Sequence, residues 1–320
     1  MAEPEDTPNK APDDTRSDIQ SGDWLDRSAP AWSRPYLRLG RIDRPIGTWL
    51  LLIPCWWGLA LATVSVVGPD PWDSLFYAVL FAIGSLVMRG AGCTWNDILD
   101  RDFDAKVART ATRPLPSGAV TLRGAYVFLG LQLLAGLAIL SFFNTFTILL
   151  ASASLILVAI YPLMKRITYW PQAFLGLTFN WGALVGWAAV TGSLELPAIL
   201  IYAAGFFWTL GYDTIYAHQD KEDDVLIGVK SSALKLGDRT GIWLWIFYGI
   251  AVLLFDAAFL TAGVRWPAYI LLLLAALHLA GQAARVKLDD PADCLARFKS
   301  NREAGLLVFA AIVSSGVTGV

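Results

Sequence analysis

Asn96, Asp100 and Asp104 stand four residues apart in the stretch N-D-I-L-D-R-D-F-D, and Asp220 and Asp224 repeat that spacing in D-K-E-D-D. On a helix each four-residue step turns by about 40°, so Asn96, Asp100 and Asp104 share one face. Carboxylates this close repel one another, so the arrangement calls for cations. Hard oxygen donors in such number suit Mg²⁺, which takes one or two carboxylates and fills its shell with water and phosphate oxygens. Bases are interleaved. Arg109 and Arg113 follow the first acidic run, and Lys165 and Arg166 lie together elsewhere. Arg offers a planar fork to phosphate oxygens and Lys a point charge. The residues therefore predict a site for Mg²⁺ and a diphosphate.

The elements that must carry these residues are apolar. The chain is 56% hydrophobic and 16% charged. A soluble domain is roughly half apolar and about a quarter charged. Blocks near twenty residues long match a bilayer core of about 30 Å. Nine spans are expected, at 46–67, 74–95, 123–142, 145–164, 170–191, 196–216, 241–262, 266–283 and 304–320. The fold class is an all-α membrane protein with nine transmembrane helices. Residues 32–320 form the nine-span domain, and residues 1–31 a disordered tail, polar and acidic. The first acidic run follows span two and the second follows span six. Spans 1–4 and 5–8 thus pair as two four-helix halves plus one, with a site between them.

Loop charge sets the orientation. Seven Lys or Arg precede span one, and the loops after spans two, four, six and eight are also basic. The opposite side has Arg265 alone. The positive-inside rule puts the N-terminus and both acidic runs in the cytoplasm. The tail lacks the apolar core of a secretory signal, and its acidity is unlike a mitochondrial transit peptide. The expectation is a multi-pass protein of the bacterial inner membrane. Residues 32–44, basic and aromatic, are expected along the interface. Asp256, inside span seven, is expected to face the bundle.

Several residues read more plainly as packing. Cys55, Cys93 and Cys294 show no CxxC, and neither histidine has metal-ligand spacing. His278 is expected to be satisfied within the bundle, while His218 lies close to the second acidic run. A lone DxxxD is more often a solvated helix end. Two such runs, on one side and each among bases, favour chemistry. Metal and bases would stabilise a departing diphosphate; an allylic donor would leave a carbocation that aromatic faces can shield. A transporter is the reading from another class, but its acids belong near the midplane rather than at span ends. A CDP-alcohol phosphatidyltransferase would need D-G-x-x-A-R, which is missing after Asp104.

Four stretches carry a family likeness: R-I-D-R-P-I-G-T-W-L-L-L-I-P-C-W-W-G from Arg41, R-G-A-G-C-T-W-N-D-I-L-D-R-D-F-D-A-K-V-A-R-T-A-T-R-P-L-P-S-G from Arg89, G-Y-D-T-I-Y-A-H-Q-D-K-E-D-D-V-L-I-G-V-K-S-S-A from Gly211, and F-K-S-N-R-E-A-G from Phe298. With these the chain, over residues 35–320, resembles the UbiA superfamily of intramembrane aromatic prenyltransferases. Within it the likeness is greatest to the group acting on 4-hydroxybenzoate in ubiquinone synthesis. The resemblance implies nine helices around a central cavity open laterally to lipid. It implies transfer of a polyprenyl group from polyprenyl diphosphate to the ring carbon ortho to the hydroxyl of 4-hydroxybenzoate. It also implies that Asn96, Asp100, Asp104, Asp220 and Asp224 hold Mg²⁺, with Asp100 and Asp220 essential to catalysis. Arg109, Arg113, Lys165 and Arg166 are implied diphosphate partners. Asp213 is implied near the acceptor, as base or phenol-orienting group, and Arg44 is the candidate for the acceptor carboxylate. Homogentisate, dihydroxynaphthoate or haem are the other acceptors of such enzymes. The partners implied are the two substrates and the bilayer, with no nucleic acid and no protein partner.

Overall fold

Asp70, Thr121 and Asn144 each accept a hydrogen bond from a backbone N–H in the first turn that follows, and so start three of the spans. Pro71, Pro171 and Pro267 open three spans at positions whose N–H has no helical partner. In the computed structural model these signals delimit a wholly helical fold; residues 19, 22–66, 70–106, 110–221, 224–225 and 228–317 are described. Among them no strand occurs.

Two short helices, α1 (Trp24–Ser28) and α2 (Arg34–Leu39), precede the spans. The spans are α3 (Ile46–Ser65), α4 (Pro71–Asp104), α5 (Leu122–Leu140), α6 (Thr145–Ile167), α7 (Pro171–Thr191) and α8 (Leu196–Ala217). After the short α9 (Ser232–Leu236) come α10 (Thr240–Thr261), α11 (Pro267–Arg285), the polar α12 (Pro291–Lys299) and α13 (Asn301–Val317). Eight helices among the described residues are long and apolar enough to cross a membrane. The ninth, α13, has 17 residues. At 1.5 Å per residue that is about 26 Å, close to the core thickness. The protein is a multi-pass helical membrane protein with the expected spans in the expected order.

Helices α3, α7 and α8 lie at the centre, whereas α5 and α6 are mostly exposed and face the lipid. The α3–α7 contact joins span one to span five, the equivalent members of the two proposed halves. It is close because Gly58 and Gly186 sit at the crossing. A Cβ on either would collide with a backbone carbonyl of the other helix, that of Ala183 or of Cys55. Helix α13 packs into the same core: Trp57 donates to the Gly305 carbonyl at 2.9 Å, and Trp208 donates to Asn301 Oδ1 at 2.9 Å. His278 and Gln282 meet Ser300 in this buried polar network, so His278 is satisfied as expected.

Two expectations change. The tail expected to be disordered through residue 31 is ordered before that point. Asp23 caps α1, Leu25 is fully buried, and Arg38 pairs with Asp26 at 2.8 Å. Local capping and the ion pairs of Arg38 with Asp23 and Asp26 secure a segment whose composition alone reads as solvated. Residues 1–18 lie outside the described residues. The second change is at α4, which runs nine residues past the expected end of span two. Its 34 residues span about 51 Å at 1.5 Å each, well beyond a core of about 30 Å. The first acidic run is therefore the last turns of a membrane helix rather than a loop.

Candidate active site

Because α4 stays helical to Asp104, Asn96, Asp100 and Asp104 do share one face. Asp100 is buried, and both its oxygens are engaged: one with the Lys165 ammonium, the other with Arg166 at 3.1 Å. Arg166 also donates to the Leu99 carbonyl and lies over the Phe103 ring, 4.5 Å from its centre. Arg113 reaches Asp104 at 2.9 Å and Asp97 at 3.5 Å. Thus Lys165, Arg166 and Arg113 all converge on the first acidic run, from the end of α6 and from the α4–α5 connection. Arg109 lies outside the described residues.

The neighbour of the run, Asp97, has a different task. It is fully buried and held by the Arg41 guanidinium through contacts of 2.8 and 3.0 Å. Arg41 has φ of 57°. It follows Gly40 at the end of α2; its N–H donates to the Arg38 carbonyl, and the N–H of Ile42 to that of Leu37. That is the Schellman helix ending, whose left-handed position usually holds glycine. Here it holds an arginine whose Nη2 donates to both oxygens of Asp97 and ties α2 to α4.

The second acidic run is brought to the same pole by backbone pairing. The Lys230 N–H donates to the Lys165 carbonyl at 2.9 Å, and Lys230 Nζ donates to that of Ile167 at 3.0 Å. Asp220 ends a single 3₁₀ turn after α8, and both Asp220 and Asp224 are half-buried. Among the described residues, no three Asp, Glu, His or Cys side chains converge tightly enough to hold an ion by themselves. In the first run each carboxylate is matched by a base, Asp97 by Arg41, Asp100 by Lys165 and Arg166, Asp102 by Arg101 and Asp104 by Arg113. His218 is packing: its Nε2 pairs with Thr240 at 3.0 Å and the ring is buried.

Below the acidic face of α4 lies a polar cavity of about 240 Å³, lined by Asn96, Arg44, Arg113, Asp213, Tyr216 and Phe298 among others. Asp213 and Arg44 are thus brought to one chamber. The Arg44 Nε donates to Asp43 at 3.0 Å, and burial pushes the Asp43 carboxyl above its usual range against the pull of the Arg44 and Arg41 charges. Tyr216 and Phe298 form an aromatic wall with rings 4.4 Å apart. A second, apolar cavity of about 430 Å³ runs down between α3, α4, α5, α6 and α7. Arg89, Gly92, Tyr161 and Phe179 line both.

Arg89 is the residue whose role the sequence reading passed over. It lies on α4 seven residues before Asn96, two turns along the same face. Its guanidinium contacts Cys93 Sγ at 2.7 Å and lies 5.6 Å from the Phe179 ring centre. Its buried Nε has no hydrogen-bond partner among the described residues. The signal was present, since an arginine inside an apolar span marks a functional position by default.

The site thus offers oxygen donors and bases at a membrane surface, an aromatic chamber beneath, and an apolar channel leading on. The model of the UbiA prenyltransferase family matches residues 51–311. The chain belongs to the UbiA prenyltransferase family. It is 50% identical over 280 residues to the mitochondrial 4-hydroxybenzoate polyprenyltransferase of Aedes aegypti, covering 87% of this chain and 63% of that protein. It is 47% identical over 308 residues to the mitochondrial enzyme of that name from Arabidopsis thaliana, covering 95% of this chain and 75% of that protein. With the human enzyme of that name it shares 50% over 290 residues, covering 89% and 76%. The apo structure of a UbiA homologue from Aeropyrum pernix K1 superposes with a TM-score of 0.67 at 28% identity, covering 85% of this chain and 97% of that one. The UbiA homologue from Archaeoglobus fulgidus bound to GPP and Mg²⁺ shares the fold, with a TM-score of 0.64 at 21% identity over 88% of this chain and 99% of that one.

Proposed function

We propose that the protein transfers a polyprenyl group from polyprenyl diphosphate to the ring carbon ortho to the hydroxyl of 4-hydroxybenzoate, a step of ubiquinone synthesis. The observation that carries the reading is the adjacency of the two cavities. A polar chamber under the acidic face of α4 and an apolar channel share Arg89, Gly92, Tyr161 and Phe179 in their walls, the order that a diphosphate with a long hydrocarbon tail requires. The names of the relatives, at about 50% identity, support the acceptor and the reaction.

Asn96, Asp100 and Asp104, with Asp220 and Asp224, are the oxygen donors that would hold Mg²⁺. The fit rests on donor chemistry: Asp100 and Asp104 are hard carboxylates already charge-matched to cations. The Mg²⁺-bound homologue structure supports the choice of ion. Bound Mg²⁺ would neutralise the charge of the departing diphosphate. Lys165, Arg166, Arg113 and Arg109 would take diphosphate oxygens. The C–O bond of the donor breaks, leaving an allylic cation in the chamber lined by Tyr161, Phe179, Tyr216 and Phe298. The electron pair of the ring carbon closes the new C–C bond, and that carbon then loses its proton. Asp213, in the same chamber, is the candidate base or the group that orients the phenol. Arg44 and Arg89 both line it, and either can pair with the acceptor carboxylate.

We place the acidic face on the side bearing the N-terminus and the basic loops, which is the cytoplasmic side in a bacterial inner membrane. The curated relatives named here are mitochondrial. The test of the reaction uses purified protein in liposomes with a polyprenyl diphosphate and 4-hydroxybenzoate. Mass spectrometry should find the 3-prenyl product, lost with EDTA and restored with Mg²⁺. Product only with another aromatic acid would move the acceptor. No consumption of diphosphate with any acceptor would defeat the reading.

A further inference from the structure

Glycine inside a helix is unfavourable and needs a reason. Most glycines at the cavities have one in close packing. A Cβ on Gly47 would strike the Arg89 guanidinium, on Gly136 the Met88 sulfur, and on Gly182 the Cys55 sulfur; on Gly84 it would rest 3.7 Å from Ile139. Gly92 differs. Among the described glycines that line either cavity, it is the one whose added Cβ meets no heavy atom within 4 Å. No positive φ demands it, and it lies mid-helix in α4. Nor is the open space simply lipid, because Gly92 lines both chambers. It stands one turn before Asn96 on the same face, with Arg89, Tyr161 and Phe179 completing the neck.

We propose that Gly92 is required for productive binding of the prenyl donor, because it keeps open the neck through which the first isoprene unit passes from the diphosphate site into the apolar channel. The inference rests on the functional reading above. The missing side chain supplies clearance for a branched, flat allylic segment at the point where the walls change from polar to apolar. A Cβ added here would narrow the neck while meeting no heavy atom of the bases, the carboxylates or Asp213 within 4 Å.

The test compares Gly92→Ala, Gly92→Val and the control Gly249→Val in full-length protein in nanodiscs. Gly249 is also free of neighbours within 4 Å, but it is exposed on α10 and lines neither cavity. The probes are geranylgeranyl diphosphate, inorganic diphosphate with Mg²⁺, and 4-hydroxybenzoate. Gly92→Ala should raise the unfolding temperature, because alanine is the better helix former, while lowering kcat/KM for the donor. Gly92→Val should lower it by about ten- to hundredfold, the usual scale for misfit in an apolar pocket. Competition by inorganic diphosphate and the KM for 4-hydroxybenzoate should stay unchanged in both, and Gly249→Val should behave as wild type. Unchanged donor kinetics in Gly92→Val would overturn the inference. So would a fall in stability with loss of inorganic diphosphate binding, which would make the glycine a packing residue. Wild-type protein inert with every allylic donor would instead defeat the functional reading and this inference with it.

Discussion

The ammonium of Lys165 rests on the carboxylate of Asp100, and Arg166 holds the other oxygen of that carboxylate at 3.1 Å. A carboxylate assigned to the metal is thereby paired with two bases assigned to the diphosphate. Mg²⁺ alone must compete with these cations, whereas a diphosphate gives Lys165 and Arg166 another anion to hold. Calorimetry should therefore show weak Mg²⁺ binding alone and stronger binding with inorganic diphosphate. Lys165→Met should bind Mg²⁺ alone more tightly than wild type. It should still lose about a hundredfold in kcat, the scale for removing one group that stabilises developing charge. Equal Mg²⁺ affinity with and without diphosphate would show that the pairing does not matter.

Arg89 and Arg44 both line the polar chamber, but only one can be the main partner of the acceptor carboxylate. Arg89 is the stronger candidate in this geometry, because the group its guanidinium contacts is a thiol, Cys93 Sγ, whereas Arg44 already donates to the carboxylate of Asp43. Arg89→Lys keeps the charge and loses the fork. It should raise the KM for 4-hydroxybenzoate by about tenfold or more, the cost of one charge-assisted hydrogen bond, and change the donor KM much less. Arg44→Lys should have the smaller effect. The reverse ranking would return the acceptor carboxylate to Arg44.

These assignments divide into what periodicity can reveal and what it cannot. Blocks of apolar residues and capping side chains made the spans legible, and the four-residue spacing put Asn96, Asp100 and Asp104 on one face. The end of α4 was not legible, because charge usually marks the water side of a span and here the helix continues into water. Partner choice was not legible either. Nothing in the sequence says that Arg41 takes Asp97, or that Arg113 takes Asp104, since those pairings depend on how α2 and the α4–α5 connection fold back. Arg89 carried a local signal, an arginine in an apolar run, but its importance emerged only from its place at the junction of two cavities.

Arg41 holds a backbone conformation that costs a non-glycine residue about 1–2 kcal/mol, in return for its contacts with Asp97. Arg41→Gly relieves the backbone but removes the main partner of a fully buried carboxylate. Losing one member of a buried pair costs about 3–5 kcal/mol, so the variant should be less stable than wild type. Arg41→Gly combined with Asp97→Asn should recover much of the loss, since the carboxylate that lost its main partner is then uncharged. Thermal unfolding in detergent measures both. A single variant more stable than wild type would show that Arg113 alone suffices for Asp97.

Asp43 gives the protein a pH dependence of defined sign. Burial holds its carboxyl above the usual range despite the nearby Arg44 and Arg41 charges. A carboxyl raised in the folded state favours folding fully at pH below its unfolded value, and that contribution is lost as pH rises through the raised value. Wild-type protein should therefore lose some stability from this group between acid and neutral pH. Asp43→Asn cannot ionise and should lose less over the same interval. The same change removes the anion that holds Arg44 Nε at 3.0 Å, so kcat/KM for 4-hydroxybenzoate should fall even where stability rises. Unfolding temperatures for both proteins across that interval decide the matter. Parallel curves would mean that Asp43 is ionised at little cost, and that the charge of Arg44 outweighs the burial.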